Sequence, residues 1–189
     1  MLVRHLAAQD PIFIQIDADY DGYSSAAVLL NYLHCLFPGT VENNVTYRLH
    51  TGKQHGIIPD TIPAGTKLII IPDAGSNDDN IYAALQEQGI DILILDHHEV
   101  NDKVEHACLI NNQQGNYPNR TLSGVGVVYK FCQYIDSLLG VQYANNYLDL
   151  VATGMIADVM DMRPFETKEI ISQGLNNITN PFLSAFVKK

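Results

Sequence analysis

The chain has 189 residues, enough for one sizeable domain with a core of its own. Its apolar fraction of 47% excludes an intrinsically disordered chain, and no apolar run approaches the roughly 20 residues that a bilayer span requires. The net charge of −10 argues against a broad basic surface for nucleic acid. A polyanionic substrate stays open, provided that local cations, bound metals or a further domain supply the attraction. The N-terminus lacks the long apolar segment of a signal peptide. Cys35, Cys108 and Cys132 are scattered without paired spacing, which reads as reduced core thiols of a cytoplasmic protein.

In chain order, the mostly apolar residues 12–17 predict a first strand. A helix is expected over 23–37, with Ala26, Ala27, Leu29, Leu30 and Leu33 on its inner face and Pro38-Gly39 as its stop. Residues 45–49 and 68–72 predict two more strands. Asp78-Asp79-Asn80 makes a cap and acidic first turn for a helix over 81–88 closed by Gly89. Strands are expected again over 92–95 and 108–111. After a polar loop over 112–120 the periodicity turns helical, over 122–139, 143–155 and 166–178. The order predicts an α/β fold, a parallel β-sheet flanked by helices, with a mostly helical C-terminal third. Residues 181–189 stay apolar to the end without a finishing signal, which reads as a cut at a domain boundary.

Chemistry gathers where strands end. Asp17-Ala18-Asp19-Tyr20-Asp21-Gly22 follows the first strand, Asp73 follows the third, and Asp96-His97-His98 follows the fourth. In extended chain Asp19 and Asp21 would point to the same side, so both could face one cation-sized space. Gly22 permits a sharp turn, and Ser24 or Ser25 can cap the next helix. Two adjacent histidines after an aspartate at an apolar strand end are costly to place without a role. Asp158 follows the apolar Met155-Ile156-Ala157 inside a helical region. Carboxylates with one imidazole suit Mn²⁺ or Mg²⁺ better than a thiolate zinc site. Two such ions about 3.5–4 Å apart can bridge an activated water and the phosphoryl oxygens of a diester, with Asp73 as the shared ligand. No Gly-x-Ser-x-Gly nucleophile elbow competes. Ser123-Gly124-Val125-Gly126 does not complete a dinucleotide fingerprint. It can serve either as a backbone-amide cradle for a substrate phosphate or as a place of close helix packing.

These motifs, in order, resemble those of the DHH phosphoesterase superfamily. The Asp-x-Asp-x-Asp-Gly-x-x-Ser stretch, the 123–127 segment and the region from Ala157 through Gly174-Leu175 are similar to the RecJ-type single-strand-specific exonucleases. The resemblance covers nearly the whole chain and implies a DHH catalytic domain over 1–189, a fragment of a longer protein. It implies up to two Mn²⁺ or Mg²⁺ ions. One would be held by Asp21, Asp73, His97 and Asp158. The other would be held by Asp19 and Asp73, with Gln15 as a weak ligand where the family usually has His, and Asp17 close behind. His98 would contact the scissile phosphate, with Asp96 orienting an imidazole from the rear. Ser123, Gly124 and Gly126 would touch substrate. The implied activity is 5′→3′ exonucleolytic hydrolysis of single-stranded DNA, in DNA repair or recombination, with missing C-terminal domains and no membrane contact. The alternatives are a phosphodiesterase for short oligonucleotides or cyclic dinucleotides, an inorganic pyrophosphatase, and a catalytically silent scaffold.

Overall fold

The computed structural model describes residues 1–52 and 54–187. The chain runs α1 (Leu2–Ala8), β1 (Ile12–Ile16), α2 (Tyr20–Leu36), α3 (Pro38–Asn44), β2 (Val45–Leu49), β3 (Leu68–Pro72), α4 (Asp79–Glu87), β4 (Asp91–Asp96) and β5 (Cys108–Asn111). Four further helices follow: α5 (Gly124–Leu139), α6 (Leu148–Ala157), α7 (Phe165–Asn176) and α8 (Pro181–Val187), with a 3-10 turn over Ala144–Tyr147 before α6. Among the described residues no helix is long and apolar enough to cross a membrane.

All five strands pair in parallel, in the order β2-β1-β3-β4-β5. β1 and β3 are buried at every position and β4 at all but its first, because both faces of the sheet are covered; this is why they read as near-continuous apolar runs, β1 interrupted only by Gln15 and β4 bounded by Asp91 and Asp96. Alternate side chains serve two cores. Ile12, Ile14, Ile16, Leu68 and Ile70 pack with α2, α5 and α6, while Phe13, Ile69, Ile71 and Ile92 pack with Tyr82 and Leu85 of α4. From β1 the chain steps to β2 on one side, and the remaining strands add on the other. The order in which strands are added therefore reverses between β1 and β3, and an open α/β sheet places its ligand crevice at the carboxyl ends there. Asp17 follows β1 and Asp73 follows β3 at that point.

Several elements differ from expectation. α1 had no clear periodic signal in so short a segment. α2 begins at Tyr20, inside the acidic motif, because Asp19 caps it by accepting a hydrogen bond from Gly22 N at 2.8 Å. Pro38 does not simply stop a helix but opens α3 as its first residue, where the missing N–H costs nothing. The expected helix over 143–155 resolves into a 3-10 turn and α6. The C-terminal apolar stretch forms α8 over Pro181–Val187, and residues 188–189 lie outside the described part. Of the three thiols only Cys132 is a core residue; Cys35 and Cys108 are exposed, and all three are free.

Candidate metal centre

At the carboxyl edge between β1 and β3, the backbone itself departs from the ordinary. Asp73 sits in the left-handed region with φ 64°, and its N–H still continues the ladder to Leu95 O at 2.8 Å. The left-handed turn ends β3 and leaves a side chain that is only 1% exposed. No larger residue than glycine fits opposite it. A Cβ on Gly124 would collide with the Asp73 carboxylate, so glycine there lets the start of α5 close against the site. A Cβ on Gly22 would likewise lie 2.7 Å from the Asp17 carbonyl oxygen, and one on Gly154 would lie 3.1 Å from Asp21 Oδ1.

Asp19 and Asp21 do not face one space as extended chain would have them. Asp19 is an extended cap and exposed, whereas Asp21 lies in the first turn of α2 and is turned inward. Asp21 accepts from Ser123 Oγ at 2.9 Å, Gly124 N at 2.7 Å and Val125 N at 3.2 Å. The start of α5 is thus committed to a carboxylate of its own chain. This corrects the expected phosphate cradle at Ser123, Gly124 and Gly126: the amides hold Asp21, and Gly126 allows close packing, with a Cβ there 3.1 Å from Leu122 and 3.5 Å from Met155 Sδ. The N-terminal dipole of α5 also favours the charged carboxylate.

Three sets of ligand atoms lie within 4.8 Å of one another: Asp17, Asp19 and Asp73; Asp21, His97 and Asp158; Asp73, His97 and His98. Asp158 reaches the centre from the end of α6, carried by a turn in which Val159 takes φ 55°, an unfavourable conformation for a β-branched residue. His97 Nε2 stands 3.3 Å from Asp73 Oδ1 and 3.6 Å from Asp158 Oδ2. Yet Asp73 Oδ1 and Asp158 Oδ2 are buried without a hydrogen-bond partner among the described residues. These atoms converge on a shared space rather than on one another, as hard-cation ligands do. The Gln15 amide donates to Arg48 O on β2 at 3.0 Å, and its oxygen, the atom expected to be the weak ligand, is buried without a hydrogen-bond partner among the described residues. Asp17, expected behind the ligands, brings a carboxylate oxygen into the set with Asp19 and Asp73.

Electrostatics follow the same division. Burial, then the Asp21 and Asp19 carboxylates, push Asp73 up to about 11. Burial likewise raises Asp21 and Asp158. The protein alone does not neutralise this cluster, and a divalent cation does so directly, so the donor set fits Mn²⁺ or Mg²⁺. Asp96 behaves oppositely. Burial would raise it, but hydrogen bonds from His98 and Ser76 outweigh that and hold it well below the usual carboxylate range. Its Oδ1 accepts from His98 Nδ1 at 2.8 Å and from His97 N at 2.7 Å, and its Oδ2 accepts from Ser76 N at 3.0 Å. The Asp96 bond in turn raises His98 above the ordinary histidine value. Asn111 braces the loop by donating to Ser76 Oγ and to His98 O, both at 2.9 Å.

Sequence reasoning missed the histidines behind Asp17. His50 is buried and donates from Nδ1 to Asp17 Oδ1 at 2.9 Å, with Nε2 on Gly56 O at 2.7 Å. His55 donates from Nδ1 to Asp17 Oδ2 at 3.0 Å. These bonds outweigh burial and bring Asp17 down to about 2. Their signal was their place just past the carboxyl end of β2, the strand beside β1.

Residues 11–155 match the model of the DHH family, N-terminal domain. The chain belongs to the DHH family. YorK, the candidate single-strand DNA-specific exonuclease of the SPbeta prophage in Bacillus subtilis, is 44% identical over all 189 residues, which are 32% of its length. The single-stranded-DNA-specific exonuclease RecJ of Bacillus subtilis is 31% identical over 178 residues, covering 92% of this chain and 22% of that protein. The crystal structure of exonuclease RecJ bound to manganese superposes with a TM-score of 0.79 at 22% identity, over 94% of this chain and 46% of that one. This DHH domain thus spans about a third of the length of YorK. It is a DHH-family domain related to the RecJ exonucleases, and it carries clustered aspartate and histidine groups able to hold metal.

Proposed function

We propose that this domain is the metal-dependent catalytic part of a phosphodiesterase that hydrolyses single-stranded DNA from the 5′ end. The convergence of Asp73 with two ligand sets, its buried oxygen left without a partner, carries this reading. Asp17, Asp19 and Asp73 would hold one Mn²⁺ or Mg²⁺; Asp21, Asp73, His97 and Asp158 would hold the other. Bound there, the ions would activate water and offset charge on the phosphoryl oxygens.

The chain's own groups complete the work. Gly124, Ser123 and Val125 hold Asp21 by hydrogen bonds that fix its direction without protonating it. Asp96 fixes the His98 ring through Nδ1 and raises it above the ordinary histidine value, and in the protonated ring Nε2 can donate to a phosphoryl oxygen or to the departing oxygen. His98 is half-exposed, as a group that meets substrate has to be. The domain's net charge of −10 makes these local donors and the ions the source of attraction for a polyanion.

The test is incubation of 5′- and 3′-labelled single strands and duplexes with Mn²⁺, beside Asp73→Ala. The expected outcome is mononucleotide release from the 5′ end of single strands, reduced at least a thousandfold in the variant. Equal signals from both proteins would favour a silent scaffold, and cleavage confined to short oligonucleotides or cyclic dinucleotides would favour the other phosphodiesterase reading.

A further inference from the structure

We infer that Asn111 is a positioning residue for this centre: its buried amide locks the His97-His98 turn to the turn after Asp73, and so fixes where the two imidazoles stand relative to the shared carboxylate. The inference rests on the metal-dependent phosphodiester reading above and adds to it a residue from the last strand.

The ligand-bearing side chains at the carboxyl edge arrive on separate loops. Asp73 begins the turn after β3, and His97 and His98 begin the loop after β4. Metal ligands have to be held to a fraction of an ångström, which a free loop does not achieve. Here side chains cross-link the two loops. Ser76 N donates to Asp96 Oδ2 at 3.0 Å, while His97 N and His98 N donate to Asp96 Oδ1 at 2.7 and 3.2 Å. Asp96 thus holds the entry to the imidazole turn. The carbonyl at its exit, His98 O, is held by Asn111 Nδ2 at 2.9 Å, and the same nitrogen donates to Ser76 Oγ at 2.9 Å. One amide group joins the imidazole turn, the Asp73 turn and the end of β5.

Place and hydrogen-bond inventory both suit Asn111 to this role. It is the last residue of β5 and the register partner of Asp96 on β4, so the sheet itself sets it beside the triad Asp96-His97-His98. Asn111 and Ser76 are both buried. Asn111 Oδ1 accepts from Gln113 N at 2.7 Å, and a backbone N–H on one side with a backbone C=O on the other admits only one orientation of the amide. Both N–H groups and the oxygen are then in use. The loop has further staples beyond the triad. Asn77 donates to Glu99 O and accepts from Asn101 N, both at 2.9 Å, and Asp79 accepts from Glu105 N and His106 N, both at 2.9 Å. Of Asn77, Asp79 and Asn111, only Asn111 reaches the triad. Without it the turn keeps its bonds to Asp96 but can swing on them. His97 Nε2, 3.3 Å from Asp73 Oδ1, swings with it, and so does the His98 ring.

The test compares Asn111→Ala and Asn111→Ser with Asn77→Ala, which loosens the same loop beyond the triad. Mn²⁺ binding is followed by calorimetry, the imidazole ligand by nitrogen couplings in pulsed electron paramagnetic resonance, and backbone hydrogen exchange is measured in EDTA. The Asn111 variants should lose about tenfold to a hundredfold in Mn²⁺ affinity at one site, with a weakened nitrogen coupling. Exchange at His97 and His98 should quicken. On labelled single strands at saturating Mn²⁺, kcat should fall about tenfold or more while KM stays within about twofold. Asn77→Ala should match wild type in metal binding and in kcat. Asn111 variants with wild-type Mn²⁺ affinity, nitrogen coupling and kcat, and only a lower melting temperature, would overturn the inference and make Asn111 a support for the fold. Equal losses in Asn77→Ala would overturn it as well, since any slack in the loop would then suffice. Metal binding needs no turnover, so a protein whose Mn²⁺ site depends on Asn111 but which leaves DNA intact would sink the substrate reading and keep this one.

Discussion

Asp73→Asn should remove hydrolysis and at the same time make the metal-free protein more stable at neutral and alkaline pH. Asp73 is the group that the fold accommodates worst without a cation. Burial and its two carboxylate neighbours lift it from 3.8 to about 11. A carboxyl raised in the folded state contributes its stability fully below the unfolded value of 3.8, and loses it as pH climbs toward the folded value. In EDTA the wild type should therefore weaken steadily between pH 5 and pH 8, by about 1.4 kcal/mol per pH unit or about 4 kcal/mol over that window. At roughly 2–4 °C per kcal/mol for a chain of this size, the melting temperature should fall by about 8–16 °C. With Mn²⁺ the trend reverses, because ligands bind as the deprotonated forms and affinity grows with pH. The Asn variant keeps the shape and drops the charge. Its melting temperature in EDTA should exceed that of the wild type at pH 8, approach it at pH 5, and show no response to Mn²⁺. A variant less stable than wild type at pH 8 in EDTA would show that Asp73 is a structural residue.

Gly124→Ala carries the second large effect. In most helices this change is mildly favourable, by about 0.5–1 kcal/mol. Here the added methyl would collide with Oδ1, Cβ and Cγ of Asp73. Asp73 cannot yield easily, since it is buried in a left-handed turn tied to Leu95. Either α5 shifts outward, which loosens its grip on Asp21, or the shared carboxylate swings out of line. Both routes damage the same centre. Mn²⁺ affinity should fall at least tenfold and turnover at least a hundredfold, while circular dichroism shows a folded protein. Gly126→Ala is the control: the nearest atoms to its methyl are Leu122 Cβ at 3.1 Å, Leu122 Cδ2 at 3.4 Å and Met155 Sδ at 3.5 Å, none of them in the acidic cluster, so Mn²⁺ affinity should stay near wild type. Unimpaired metal binding by Gly124→Ala would contradict the close packing of α5 on Asp73.

The sheet was legible because β1, β3 and β4 are buried on both faces, and near-continuous apolar runs are the plainest signal a strand gives. Asp73 and Asp96-His97-His98 were legible for the same reason: polar groups that end such runs stand at the sheet's carboxyl edge. The directions of Asp19 and Asp21 were not, because α2 begins between them and a helical turn replaces the two-residue alternation of a strand. Ser123 and Gly124 looked like a phosphate cradle because a helix start accepts any anion; only the tertiary fold decides that the anion is Asp21. His50 and His55 lie in a loop whose spacing carries no period, so nothing local ties them to Asp17, more than 30 residues earlier.

The centre itself is tested most directly by Mn²⁺ anomalous diffraction from crystals of this protein. Two peaks about 3.5–4 Å apart are expected, both within bonding distance of Asp73. One should lie beside Asp17 and Asp19, the other beside Asp21, His97 and Asp158. No peak at Asp73, or a lone ion held at the protein surface, would contradict the account.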